Sequence, residues 1–362
     1  MFVNNLNISM KKFILFATLS IISMYGFGQQ KAYKISIIAF YNLENFFDTL
    51  DNPKIRDDEF TPKGERNYNS EIYWNKVEKL ATVISKIGTD ENPEKMSPDG
   101  PAIIGVAEVE NDTVLTDLVN HPLLKKRGYK IIHFDSKDIR GIDVGFLYNP
   151  KYFTPEASAP LFVQLPGGSK DAYYTRDVLW VKGKLDGETV HVYVNHWPSR
   201  LGGEERSAPG RAAAALVSKN HSDSIAAVDG EQKVIIMGDL NDDPVSPSLT
   251  EVLKAKGKIK DVKSGGLYNP WVEMYKKGYG TLAYQDAWGL FDQIVISYPW
   301  LNKNQNGFFF YKQVIFNREF MTENRGRYKG YPMRTWDGNT YRGGYSDHYP
   351  TYLVMLKTIN QP

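Results

Sequence analysis

The sequence predicts an α/β fold in which two sheets pack face to face and helices cover them on the outside. Three observations predict it. Strand-like and helix-like apolar segments are interleaved along the chain, with about twice as many strands as helices. No internal repeat, low-complexity tract or Pro/Ser-rich linker divides the 362 residues, so one domain follows a short leader. The composition, 42% hydrophobic and 24% charged, is ordinary and excludes disorder, collagen-like repeats and coiled coil.

The leader is residues 1–28. Met10-Lys11-Lys12 opens onto an apolar run from Phe13 to Phe27, closed by Gly28. A basic start, an apolar centre and a small residue at the exit describe a secretory signal peptide, with cleavage expected after Gly28. The run is short for a membrane span, and no basic cluster follows it. The expectation is therefore a secreted or periplasmic mature chain, 29–362, without stable membrane insertion. Cysteine is absent, which excludes disulfides, thiolate metal sites and a cysteine nucleophile. Cleavage takes Lys11 and Lys12 from the 44 basic residues and none of the 42 acidic ones, leaving a formally neutral chain. Binding of nucleic acid by overall charge is thereby excluded, and phosphate contacts must come from local patches.

The elements follow in order. Lys34 to Tyr41 is continuous and β-branched, a buried strand. From Ser70 to Ile87, Val77, Leu80, Ala81, Ile84 and Ile87 recur at helical spacing, with Ser70 as the expected cap. Ala102–Val109 is a strand, as are Tyr129–Phe134, Val144–Tyr148, Val178–Leu185, Val190–Asn195 and Val234–Asp239. Ser207 to Val228 is Ala-rich and opens with Ser207 and Pro209, which suits a helix start. Ser246-Pro247 is expected to open another helix through Lys256. Ile294–Ser297, Phe309–Phe316 and Thr351–Leu356 are the last strands. The long polar connections at Thr49–Asn69, Gly88–Gly100, Gly257–Gly280 and Thr322–Tyr345 exceed usual loop lengths and are expected to carry function.

Polar side chains gather at strand ends. Asn42 and Glu44 follow the first strand, and Glu108 ends Ala102–Val109. Asn195-His196 and Asp239-Leu240-Asn241 end two others, Asp292 starts one, and Ser346-Asp347-His348 precedes the last. One such acid is ordinarily a turn former; repetition at one sheet edge points to a site. Carboxylates and amides without thiolates favour a hard cation, Mg²⁺ first, with Mn²⁺ or Ca²⁺ as alternatives. Two histidines beside it suit acid–base chemistry on an oxygen ester. No His-Glu-x-x-His pair, nucleophile elbow, P-loop or dinucleotide fingerprint occurs.

Asn42-Leu43-Glu44-Asn45, Ala107-Glu108-Val109, Asn195-His196, Gly238-Asp239-Leu240-Asn241, Asp292 and Ser346-Asp347-His348 occur in that order. This pattern, from Asn42 to Pro350, resembles the endonuclease/exonuclease/phosphatase family, and in particular its deoxyribonuclease-like, secreted bacterial-type nuclease branch. The resemblance implies a four-layer α/β/β/α sandwich of two packed, mainly antiparallel sheets. It implies that Glu108 binds metal, with Asn42, Glu44 and Asp347 close to it. It further implies that Asp239 aligns the attacking water, that Asn241 helps hold it, and that Asp292 orients the essential His348. His196 in the nuclease branches is paired with an acid, and Asp143, in Arg140-Gly141-Ile142-Asp143, is the expected partner. Arg176 resembles a phosphate-contacting arginine, and Asn195 and Arg211 complete the expected substrate contacts.

Arg318 to Arg342 holds six basic residues against three acids, interleaved with Tyr328, Tyr331, Trp336 and Tyr341, and leads directly to His348. Such a mixture suits phosphates and bases. The expected activity is a divalent-metal-dependent phosphodiesterase, a nuclease acting on extracellular DNA or RNA. A smaller ester, such as a phospholipid headgroup or a nucleotide, is the alternative substrate. A secreted binding module without catalysis is the third reading, opposed by the full set of acids, amides and histidines. No protein partner is implied.

Overall fold

The computed structural model describes residues 32–89, 97–167 and 174–359. The leader, 1–28, lies outside the described residues. The chain divides into a main unit, Ile35–Leu356, and a second unit of Met1–Lys34 with Lys357–Pro362, whose described residues are extended strand.

The first half comprises β1 (Ala32–Phe46), α1 (Ser70–Lys86), β2 (Ile103–Val109), α2 (Asp112–Asn120), β3 (Lys130–His133) and β4 (Asp143–Tyr148). There follow β5 (Phe153–Leu161), β6 (Val178–Leu185), β7 (Glu188–His196), α3 (Glu204–Asp229) and β8 (Lys233–Asp239). The last part holds β9 (Leu267–Tyr268), α4 (Val272–Lys276), β10 (Leu282–Tyr284), β11 (Ala287–Gly289) and β12 (Asp292–Ser297). It ends with β13 (Phe309–Ile315), β14 (Trp336–Asp337), β15 (Thr340–Tyr341) and β16 (Thr351–Ile359).

Two six-stranded sheets result, ordered β13-β16-β1-β2-β4-β3 and β5-β6-β7-β8-β12-β9. Strand β1 runs parallel to β2 in one sheet, and β7 runs parallel to β8 in the other. The α/β sandwich expected from the sequence is what forms. Period-two alternation explains the layering. Along β8, Ile235 and Met237 enter the core between the sheets, while Val234 and Ile236 enter a second core that includes Ala214 and Ala215 of α3. In β12 Ile294 and Ile296 face inward and Val295 outward. The sheets approach so closely at β2 that a Cβ on Gly105 would lie 2.5 Å from Met237 Sδ and 3.1 Å from Val194 Cγ1. Among the described residues no helix is long and apolar enough to cross a membrane.

Three element boundaries differ from expectation. The cap of α1 is Asn69, whose side chain accepts from Ile72 N at 3.0 Å; Ser70 is already helical. Helix α3 begins at Glu204 after Gly203, so Pro209 lies inside it rather than at its start. Glu204 and Glu205 in the first turn favour that earlier start. The helix expected from Ser246 to Lys256 shrinks to a turn, Ser248–Val252, because Lys254 adopts a left-handed conformation (φ 56°). Strand β5 escapes the sequence pattern because it contains Pro155 and Pro160. It sits at a sheet edge, where a missing N–H is tolerated.

Candidate active site

Parallel strands end on the same side of a sheet, and here both parallel pairs end in polar residues. Asn42 on β1 pairs with Ala107, one residue before Glu108. His196 on β7 pairs with Asp239 on β8, and Asp239 in turn pairs with Asp292, the first residue of β12. His348 arrives from the turn before β16, its backbone N–H held by Ser346 Oγ at 3.1 Å. Ser346 Oγ also donates to the Asn42 carbonyl at 2.8 Å, tying that turn to β1. Each sheet therefore supplies part of one cluster.

Within the cluster Asn42 Nδ2 donates to Glu108 Oε1 and to Asp239 Oδ2, each at 3.1 Å. Glu108 Oε2 accepts from Asn45 N at 2.8 Å, and Asp239 Oδ1 accepts from Asn241 N at 3.0 Å. His196 Nε2 stands 3.6 Å from Asp239 Oδ2 and 4.0 Å from Glu108 Oε1. His348 Nδ1 is bonded to Asp292 Oδ2 at 2.7 Å, so its Nε2 faces Asp239 and Asp347, each 3.9 Å away. Glu44, Asn45, Glu108 and Asn241 all take left-handed backbone conformations, φ 48–62°. Such residues cost about 1–3 kcal/mol each and gather where a site over-determines them.

The two imidazoles are driven apart. Burial pushes His196 well below its usual value, helped by the Arg176 and Arg140 guanidiniums and by His348, which favours the neutral ring. Burial also pulls His348 down, but Asp292, Asp239 and Asp347 outweigh it and hold it well above its usual value, which favours the charged ring. Burial raises Asp239, with His348 opposing and Asp292 adding to the rise. Environments that separate titratable groups in this way assign them different proton roles.

A cation fits one part of this cluster. Ligand atoms of Glu108, His196 and Asp239 all lie within 4.8 Å of one another, and Glu108 remains partly open to solvent. In the adjoining trio of Asp239, Asp292 and His348, Nδ1 is already committed to a carboxylate, which makes it an acid–histidine pair rather than a ligand set. The two carboxylates of this set suit a hard divalent ion such as Mg²⁺ or Mn²⁺, and the imidazole leans the set toward a transition ion.

Other expected site residues are placed differently. Asp143 accepts from Ser136 N at 3.2 Å and lies in a group with His133 and Asp135, while His196 Nδ1 is buried without a hydrogen-bond partner, so the expected pairing is absent. Glu44 turns from the cluster and accepts from Thr335 N at 2.6 Å and Trp336 N at 3.2 Å. Asn42 clamps the two carboxylates through Nδ2, while its side-chain oxygen accepts from Glu44 N at 2.9 Å. Arg176 is buried and donates to the carbonyls of His196 and Trp197 and to Asp138; it holds up the β7 end instead of meeting solvent. Asn195 donates to Tyr193 and Met237 carbonyls and accepts from Trp197 Nε1 and Ser218 Oγ, all inside the core. Arg211 is likewise buried, 2.7 Å from Asp242. Asn241 Nδ2 donates to the Trp197 carbonyl at 3.0 Å. Asp347 stays one-third exposed, 3.6 Å from Arg334.

Sequence reasoning missed two buried supports, Lys76 and Asp138, and the half-exposed Arg140 that pairs with the latter. Lys76 Nζ donates to Thr335 Oγ1 at 2.5 Å and to the Tyr345 carbonyl at 3.1 Å. Its only signal was a lysine on the apolar face of α1, beside Val77 and Leu80. Asp138 takes Arg140 at 2.6 Å and Arg176 at 3.2 Å.

Comparison with known proteins agrees with this geometry. A model described as the Endonuclease/Exonuclease/phosphatase family matches residues 37–357. Comparison with curated proteins finds no match. Among solved structures, a protein of that family from Bacteroides thetaiotaomicron is similar with a TM-score of 0.53 at 15% identity, over 92% of this chain and 98% of that one. A Bacteroides thetaiotaomicron mannosyl-6-phosphatase gives 0.53 at 15% identity, over 88% and 99%. A humanized D. rerio TDP2 gives 0.52 at 12% identity, over 89% and 99%.

Proposed function

The chain belongs to the endonuclease/exonuclease/phosphatase family, and from that membership we propose that it hydrolyses phosphodiester bonds of DNA or RNA with a divalent cation, outside the cell that makes it. The observation that carries the reading is the meeting of Glu108, His196 and Asp239 beside the Asp292–His348 pair. The leader-like stretch ending at Gly28 supports export. The basic and aromatic stretch before His348 supports a polymer over a smaller ester.

Glu108, Asp239 and His196 would hold the cation, which when bound neutralises charge on the phosphate oxygens. Asp239, fixed by Asn42 and by the Asn241 N–H, presents Oδ2 to an attacking water and restricts its orientation. Asp292 keeps the Nδ1 proton of His348, which leaves Nε2 as the nitrogen that faces the phosphate and gives its proton to the leaving oxygen. Arg176 and the Trp197 carbonyl hold the β7 end, so His196 and Asn241 keep their places as charge develops.

The test incubates purified protein with plasmid DNA, RNA, bis-p-nitrophenyl phosphate, sphingomyelin and a sugar monophosphate, with Mg²⁺ or a chelator, beside His348→Ala. The expected result is ion-dependent diester cleavage that the substitution abolishes. Hydrolysis confined to the lipid or the monoester would move the substrate to that class. Activity that survives both chelation and the substitution would overturn the mechanism.

A further inference from the structure

The hairpin β10–β11 and the connection before His348 enclose a pocket of about 220 Å³ that the chemistry above does not use. Arg327, Arg334 and Arg342 line it, with Tyr284, Tyr328 and Tyr331. Two of the arginines are partly balanced: Arg342 lies 3.9 Å from Glu323, and Arg334 lies 3.6 Å from Asp347, the neighbour of His348. Arg327 forms no ion pair among the described residues and rests over the Tyr328 ring, 5.8 Å from its centroid. Tyr284 holds its ring 72% exposed at the hairpin tip, where burial would ordinarily be favoured.

The pocket is built, not incidental. Glu44 fastens its rim through the Thr335 and Trp336 N–H groups, and Lys76 holds Thr335 and the Tyr345 carbonyl. Tyr331 OH accepts from Asp286 N at 2.8 Å and donates to Asp286 Oδ1 at 2.6 Å, pinning the hairpin turn. Gly344 lets its backbone pass so close that a Cβ would fall 2.1 Å from the Met333 and Arg334 carbonyl oxygens. A preformed wall spares a ligand the entropy of ordering it. Glu44 and Lys76, buried and outside the reaction, thereby gain a purpose.

We propose that this pocket is a subsite for single-stranded nucleic acid beside the scissile phosphate. One base stacks on Tyr284, its phosphate meets Arg327, and Arg334 marks the junction with Asp347 and His348. The proposal rests on the nuclease reading and narrows it: the near-balance of charge in the pocket, where Asp286, Glu323 and Asp337 face the arginines, suits one or two nucleotides rather than the backbone of a long duplex.

The test measures binding of a fluorescein-labelled single-stranded decanucleotide by anisotropy, with the full mature protein in chelator so that nothing is cleaved. Tyr284→Ala and Arg327→Ala are each expected to raise Kd about tenfold. Tyr284→Phe, which keeps the ring, retains the affinity, and Lys260→Ala, which removes an exposed charge outside the pocket, leaves it at the wild-type value. Unchanged Kd in both alanine variants would overturn the proposal, as would equal losses from Lys260→Ala. Failure of the nuclease reading shows separately, as absence of ion-dependent cleavage by the unaltered protein.

Discussion

Asp292 and His348 make the shortest side-chain contact in the cluster, 2.7 Å, and both are buried. Removal of the imidazole by His348→Ala is expected to lower kcat by about 10²–10⁴-fold, the usual reach of a positioned acid or base. Asp292→Asn should lower kcat by at least about tenfold, because the amide no longer favours the charged ring; steady-state rates across pH 5–9 check both. Asp143 offers a prediction of another kind. Burial raises its carboxyl to about 7, helped by Asp135 and Asp138. The folded chain thus holds that proton more tightly than the unfolded one, and the stability it lends is present at acid pH and lost as pH rises toward and through 7. Asp143→Asn is therefore expected to gain on the unaltered protein by up to about 4 kcal/mol between pH 4 and pH 8, read from urea midpoints at each pH. At this scale the sequence shows residue types at strand ends, and Glu108, His196, Asp239 and His348 do converge. It does not show direction. Glu44 and Asn195 sit beside cluster residues in sequence and Arg176 twenty positions from His196, yet their side chains turn toward backbone that the fold brings near.

Elements with a strong period were legible: α1 and the strands β6, β7 and β8 lie where their apolar patterns place them. Patterns interrupted by proline or by an acid-rich start were not, which is why β5 was missed and α3 begins before Ser207. Caps are decided by backbone conformation at one residue, so Asn69 and Ser70 cannot be told apart by type alone. Asn69→Ala is expected to cost about 1 kcal/mol in chemical denaturation, whereas Ser70→Ala costs a few tenths at most. The sheet interface is equally testable. Gly105→Val forces a branched side chain against Met237 and Val194 and is expected to destabilise by about 1–3 kcal/mol. Coupling with Met237→Ala, which opens the same space, should recover part of that loss in a double-mutant cycle.

For the molecule as a whole, a cation bound to the folded state alone adds stability by mass action. Mg²⁺ at ten times its Kd is expected to add about 1.4 kcal/mol, seen as a rise in thermal midpoint that chelator reverses and Glu108→Gln removes. Over residues 29–362 basic and acidic side chains balance, so the nucleic-acid reading proposed above predicts a shallow salt dependence for oligonucleotide affinity, a log–log slope of about −1 to −2.

Because β1 and β2 bring Asn42 and Glu108 from one sheet, while β7, β8 and β12 bring His196, Asp239 and Asp292 from the other, neither half is competent alone. A chain whose two sheets have not yet closed on one another therefore carries no such centre, and turnover must wait for folding to finish.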